Sequence, residues 1–184
     1  LSKIALVRSV GGILRPGSEL AATEAELTSY PGFSKDIKKS REEAKRLLKE
    51  AGVPNLKFKF TNRNVPMPYT PVGVFLIDQW RQIGVTVEHE QLETKLYQAA
   101  LRGGNFEVGL DFNCDFMDER NLQLQKYLSS DKSTIDYSRS KDRILDGLFD
   151  KQVGATSTAE RRKVLREFEK RAMEEAYTVP TIWW

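Results

Sequence analysis

The chain has 184 residues, 40% of them hydrophobic and 30% charged, which is room for one ordinary core or at most two small ones. Its 29 Lys and Arg stand against 26 Asp and Glu, a net charge of +3 with both signs mixed along the chain, which argues against the clustered basic stripe of a nucleic-acid binder. A single cysteine, Cys114, and a single histidine, His89, exclude an internal disulfide and a cysteine-based zinc site and leave almost no scope for a histidine-based triad or metal centre. The side chains left for chemistry are carboxylates, hydroxyls, aromatics and arginines, a set that suits binding better than catalysis; no metal and no cofactor is expected.

The longest uncharged run, Asn64 to Ile77, has 14 residues and is broken by Pro66, Pro68 and Pro71, so it does not span a bilayer. The chain opens at Leu1 with no basic region or cleavage site and ends on Thr181-Ile182-Trp183-Trp184. Both ends read as cut from a longer protein, and the exposed apolar ends favour self-association.

Leu1 to Ser34 mixes a short apolar stretch with turns at Gly11-Gly12, Pro16-Gly17 and Pro31-Gly32, which predicts a helical fragment and a long wrapping loop. Ser40-Arg41-Glu42-Glu43 has the form of a capping box, with Ala44, Leu47, Leu48 and Ala51 at helical spacing until Gly52. Leu56–Phe60 alternates strictly and predicts a strand. Thr70-Pro71 supplies a cap and a first-turn proline ahead of Val72, Phe75, Leu76, Trp80 and Ile83, and Gly84 stops that helix. A strand over Val85–Glu90, a helical stripe of Leu96, Tyr97, Ala100 and Leu101, and a third strand over Phe106–Phe112 follow. This order is a βαβαβ unit, which predicts an α/β fold with a mainly parallel sheet flanked by helices.

The rest is mostly helical: a short candidate over Leu122–Leu128, a stripe of Ile144, Leu145, Leu148 and Phe149, and a second capping box at Ser157-Thr158-Ala159-Glu160. Behind that box Val164, Leu165, Phe168, Ala172, Met173 and Ala176 mark the longest amphipathic helix. Arg161, Arg162, Lys163, Arg166, Lys170 and Arg171, interleaved with glutamates, read as its solvated, salt-bridged face. Thr178 to Trp184 reads as a strand.

The segment Asp111 to Glu119 lies at the carboxyl end of the third strand, where open α/β sheets bind ligands. On a strand Asp111, Asn113 and Asp115 share one face at a spacing of about 6.7 Å, which suits an open polar surface more than one shared metal ion. A solvated face running into an acidic turn is the plain alternative, and Asp115 with Asp118 could form an acid/base pair of a hydrolase or lyase. Cys114 reads as a small buried hydrophobe and His89, between two glutamates, as a surface residue. Phe75, Trp80, Phe106, Phe112 and Phe168 fall on apolar faces, where core packing is the default. Tyr69, Phe116, Tyr137, Trp183 and Trp184 lie in turns or near the termini and are the better candidates for a binding or interaction surface.

An ordered series of motifs over roughly Arg41 to Trp184 resembles the C-terminal lobe of the peptide/nickel/opine class of ABC-transporter solute-binding proteins, the oligopeptide- and dipeptide-binding proteins. It comprises Ala44-x-x-Leu47-Leu48-x-x-Ala51-Gly52; Trp80-x-x-Ile83-Gly84-Val85-x-Val87; Tyr97-x-x-x-Leu101-x-x-Gly104-x-Phe106-Glu107-Val108; Asp115-Phe116-Met117-Asp118; Tyr137-Ser138, Asp146, Leu148 and Arg161-Arg162; and Val179-Pro180-Thr181-Ile182. The resemblance implies a lobe of the type II periplasmic-binding-protein pattern, one of two that close on a ligand. Residues 1–184 form that single lobe, with a helical fragment and wrapping loop over 1–36, a βαβαβ core over 37–113 and a helical half with a return strand over 114–184.

It also implies capture of a peptide-like or amine-bearing solute in the periplasm for ABC import, with permease subunits as partners of the full-length protein, no membrane insertion of this lobe, no cofactor and no catalytic residues. The residues it puts on the ligand are Asp115, Phe112, Phe116, Asp118, Tyr137 and Ser138. Asp115 matches an aspartate that can hold a peptide's α-amino group, and a desolvated carboxylate pairs strongly with an ammonium. Glu119 and Asp136 replace a proline and an asparagine common in the family, and both add acid to the expected cleft.

Overall fold

The computed structural model describes residues 10–113 and 120–183, in two compact units. In chain order the elements are α1 (Glu24–Leu27), α2 (Ile37–Glu50), β1 (Lys57–Arg63), α3 (Tyr69–Arg81), β2 (Thr86–Leu92), α4 (Thr94–Gly103), β3 (Val108–Gly109), α5 (Arg120–Leu124), a 3-10 turn (Gln125–Tyr127), α6 (Arg143–Val153) and α7 (Thr158–Glu175). The helical fragment expected before residue 10 and the segment 114–119 lie outside the described residues.

Unit 1 is Lys35–Phe112, with α2 to β3. Its sheet has the order β2-β1-β3, and both pairings are parallel, with Phe60 opposite His89 on one side and Val108 on the other. The predicted parallel α/β architecture is therefore present. As the central strand, β1 departs from the strict alternation of its first residues: Phe60, Thr61 and Asn62 are buried in succession. A parallel strand covered on both faces has no solvent side left to alternate with. The Phe58 and Phe60 rings meet Trp80 of α3 edge-on at 5.1 and 5.3 Å. On the other face Leu101 of α4 lies so close to Gly109 that a Cβ there would come within 2.9 Å of its Cδ2.

Several local expectations shift. α2 starts at Ile37, not at the expected box, because the Asp36 carboxylate accepts from the Lys39 N–H, while the Ser40 hydroxyl donates back to the Asp36 carbonyl. Its apolar stripe buries nothing fully, and Leu47 stays half exposed. Thr70 is not the cap of α3: the helix already begins at Tyr69, after a cis Met67–Pro68 bond, and the Thr70 hydroxyl donates to the Val65 carbonyl. Leu96, placed in the α4 stripe, is exposed, and the burial of that helix rests on Tyr97 and Leu101. The third strand shrinks to Val108–Gly109, so Asp111 lies beyond the ladder and not on a strand face.

Unit 2 joins residues 10–34 to Asn113 and residues 120–183. Its core combines Ile13, Leu14, Leu20, Leu27 and Tyr30 of the wrapping loop with Leu124, Tyr127, Leu145, Leu165, Phe168 and Met173. The loop is not wholly irregular: Thr23 and Glu26 form a reciprocal capping box on α1. α7 begins as predicted, with Ser157 accepting from the Glu160 N–H, but the Glu160 carboxylate turns to Thr156 instead of closing the box.

Two expectations fail in unit 2. The arginines of α7 are not merely a solvated face. Arg162 donates to the carbonyls of Glu19 and Ala21, Arg166 to that of Leu20, and buried Glu169 accepts from the Ile13 N–H at 3.0 Å. A loop that packs its apolar side chains inward must also satisfy its backbone, and these side chains do so. Residues 178–183 form no strand, since unit 2 offers no neighbouring strand among the described residues and Pro180 has no N–H to give. Trp183 instead donates its indole N–H to the Gly12 carbonyl.

Candidate functional site

The carboxyl edge of the unit 1 sheet is where the chain leaves β3 for the predicted ligand segment. Arg63, at the end of β1, lies 5.3 Å from the centre of the Tyr69 ring and donates from Nε to the Thr94 hydroxyl. Tyr69 in turn meets the Tyr97 ring edge-on at 6.2 Å. The Tyr97 hydroxyl donates to the Leu110 carbonyl and lies 3.4 Å from an Asp111 carboxylate oxygen. Burial, reinforced by the negative charge of Asp111, pushes the Tyr97 phenol far up, so it stays a donor at every physiological pH. This arrangement fixes the backbone as it leaves the sheet. Two residues on, the Phe112 side chain is half exposed, which corrects its placement among core aromatics and leaves it on the surface.

Tyr69 also changes places. Expected on a binding surface, it is buried between Arg63 and Tyr97, because its turn begins α3 beneath the sheet edge. His89, expected at the surface, is only partly exposed: its ring stacks on Phe60 at 5.6 Å, and burial lowers its pKa.

In unit 2, Tyr137 and Ser138 are neighbours in one turn. Tyr137 is partly exposed, with the Lys126 ammonium 5.1 Å from the centre of its ring. Ser138 is exposed, and both its N–H and its hydroxyl donate to Asp136. The second Asp136 oxygen accepts from the Ser140 hydroxyl at 3.3 Å. Asp136 is thus buried and spent on its own turn, which corrects the expectation that it adds acid to a cleft. Asp115, Phe116 and Asp118 lie outside the described residues, as do Cys114, Glu119 and Trp184.

Other motif residues of unit 2 have local tasks that spacing does not reveal. Asp146 accepts from both the N–H and the hydroxyl of Ser129 and pairs with Arg143. Burial raises its pKa, but the Ser129 amide, Arg143 and the Ser129 hydroxyl outweigh that and hold it below the usual carboxylate value. Arg161 bridges Gln152 and Asn121. Among the described residues no group of three or more His, Cys, Asp or Glu could hold a metal ion, and no helix is long and apolar enough to cross a membrane.

Comparison with solved structures finds this fold in several known proteins. Haemophilus influenzae OppA in complex with RPPGFSPFR superposes with a TM-score of 0.75 at 22% identity, over 88% of this chain and 32% of that one. Burkholderia pseudomallei OppA gives 0.71 at 22% identity, over 94% and 32%. AgaA from A. tumefaciens R10 in complex with agropinic acid gives 0.71 at 20% identity, over 95% and 35%. The chain therefore spans about a third of the length of each of these proteins. No curated protein matches it by sequence. The family model for bacterial extracellular solute-binding proteins, family 5 Middle, matches residues 9–134, more than half of the chain, and the chain belongs to that family.

Proposed function

We propose that this chain is the C-terminal lobe of an extracytoplasmic solute-binding protein that captures a peptide-like or amine-bearing ligand for import by an ABC transporter, with permease subunits as partners of the full-length protein. The family match over residues 9–134 carries this reading. The parallel sheet and the neighbours solved with a nonapeptide and with agropinic acid support it. In this reading the residues expected to contact the ligand are Asp115, for an ammonium, and Asp118, Phe112, Phe116, Tyr137 and Ser138, and the protein performs no catalysis. Phe112 is exposed and the Tyr137 ring partly exposed, as this reading requires, whereas Asp136 is buried.

A two-lobed binder takes ligand contacts from both walls of its cleft, so one lobe alone gives an exposed carboxylate–ammonium pair worth about 0–1 kcal/mol. Calorimetry of this chain with the peptide RPPGFSPFR and with agropinic acid should show no sub-micromolar binding. The full-length protein should bind a peptide or an amine-bearing solute, and Asp115→Asn should weaken that binding. Turnover of a substrate that is lost on Asp115→Asn would replace this reading with a hydrolase or lyase.

A further inference from the structure

The single histidine of the chain sits in the seam between β1, β2 and α3 of unit 1, in surroundings that fix its tautomer. The Asn62 side chain is held at both ends: Oδ1 accepts from the Arg63 N–H at 2.8 Å, and Nδ2 donates to the Tyr69 carbonyl at 2.9 Å. A backbone N–H can only donate and a carbonyl can only accept, so the amide cannot flip without losing both bonds. Nδ2 has a second proton, and the His89 Nε2 lies 3.3 Å from it. For that contact to be a hydrogen bond, Nε2 must be the acceptor, which makes His89 the neutral Nδ1–H tautomer.

The seam has little room to adjust. A Cβ on Gly73 of α3 would collide with Asn62 Nδ2 and come within 3.1 Å of His89 Nε2, so the helix backbone lies directly against this pair. Phe60 stacks on the ring from β1.

Among the described residues no charged group faces the imidazole. On β1 the facing residues are Phe60 and Asn62, and α3 presents Gly73. Its charged residues Asp78 and Arg81 pair with each other at 2.5 Å. Glu88 and Glu90 of β2 fall on the opposite sheet face by strand alternation, where Glu90 is bound by Lys59 and Thr61. Burial is the cause that depresses the basicity of His89 below its ordinary 6.5.

We propose that His89 is a pH-sensitive latch on the start of α3. When neutral, its Nε2 accepts from Asn62, which holds the Tyr69 carbonyl; when protonated, an N–H points at the Asn62 NH2, and the Asn62–Tyr69 contact is released. Because α3 begins at the carboxyl edge of the sheet, the latch couples that edge to pH. This does not depend on which solute is bound, or on whether one is.

With one histidine per chain, imidazole 15N NMR on the intact protein reads the latch without ambiguity. At pH 8 the spectrum should show a protonated Nδ1 and a bare Nε2. The titration midpoint should lie below 6.5, and the Asn62 side-chain amide protons should move with that same midpoint. Urea unfolding should show the folding equilibrium constant falling as pH drops below 6.5, by at most about tenfold per pH unit for one group. His89→Gln, which can accept from Asn62 but cannot titrate, should flatten that slope. An Nε2-protonated tautomer at pH 8, a midpoint at or above 6.5, or Asn62 resonances that stay fixed through the titration would each overturn the proposal. The NMR arm stands even where the variant does not fold.

Discussion

In unit 1 the central strand is gripped by aromatic side chains, Phe58 and Phe60 against Trp80, and its polar bonds run mostly between neighbouring elements of the sheet and helices. In unit 2 an apolar core of similar character is closed by charge: Arg162, Arg166 and Glu169 of one helix reach across to the backbone of the wrapping loop. Both devices solve the same problem. A regular strand satisfies its own backbone by ladder pairing, whereas a loop laid over a core must borrow donors and acceptors from side chains. Apolar periodicity therefore announces the aromatic grip in the sequence. Closure by charge has the same sequence pattern as an ordinary solvated helix face.

The largest expected effects contrast shape with charge. Phe60→Ala opens a cavity in unit 1 and should cost about 3–5 kcal/mol in urea unfolding. Glu169→Ala should cost a comparable amount, about 3–5 kcal/mol, since it takes the nearer of two carboxylates from the Arg166 guanidinium, whose side chain is only 15% exposed, and removes the acceptor for the Ile13 N–H. The conservative replacements separate the two mechanisms. Phe60→Leu should recover more than half of the loss, because volume is what counts there. Glu169→Gln keeps an acceptor for Ile13 without the charge that burial disfavours, and should recover most of the loss; a loss as large as that of Glu169→Ala would show that unit 2 rests on the ion pair.

A smaller effect belongs to the sheet edge. Tyr97→Phe leaves the Leu110 carbonyl without its phenol donor and should cost about 1–3 kcal/mol. Hydrogen exchange should rise locally over residues 108–112, and unchanged exchange there would mean that the phenol does not hold this segment.

pH should drive the two units in opposite directions. His89 has a folded pKa below 6.5, so its contribution is complete above that pH and is lost as pH falls below it. Burial raises the Glu169 carboxyl above 4.5, although Arg166 and the Ile13 and Leu14 amides oppose the rise. The unfolded chain then holds fewer protons than the native one, and unit 2 gains stability as pH falls through the folded pKa towards 4.5. Below 3.8 the sign in unit 2 reverses, because Asp146, with its lowered pKa, must be protonated and release Ser129 and Arg143. Residue-resolved hydrogen exchange, corrected for intrinsic rates, should show unit 1 loosening between pH 6.5 and 4.5 while unit 2 tightens. Parallel loosening of both would contradict the Glu169 assignment.

Legibility follows the same division. The strand–helix alternation, the parallel sheet and α7 are readable because each carries its own period. The arginines of α7 mislead because an i, i+4 pattern is the same whether its partners are water or a distant loop. Tyr69 and Phe112 exchange roles because burial at a sheet edge is set by tertiary packing: Tyr69 is covered by Arg63 and Tyr97, and β3 ends before Phe112. Asp136 has the sequence setting of a cleft acid, yet the two serines that follow it at alternate positions, Ser138 and Ser140, are the signal that it binds its own turn.

The smallest expected effects concern helix caps, and they extend the contrast between the units. Asp36 and Ser157 each accept from the N–H three residues on, so a local rule assigns them the same value, about 1 kcal/mol. Their helices differ. α7 buries Leu165, Phe168, Glu169, Ala172 and Met173, so it cannot melt without the core of unit 2. α2 buries no residue fully, so its first turn can fray while the sheet remains intact. Ser157→Ala should therefore shift the global unfolding midpoint by about 1 kcal/mol. Asp36→Ala should leave that midpoint within a few tenths and appear instead as faster hydrogen exchange over residues 37–43. Equal global losses from the two variants would mean that α2 is bound into the unfolding unit as firmly as α7, and that its exposed stripe is no guide to its stability.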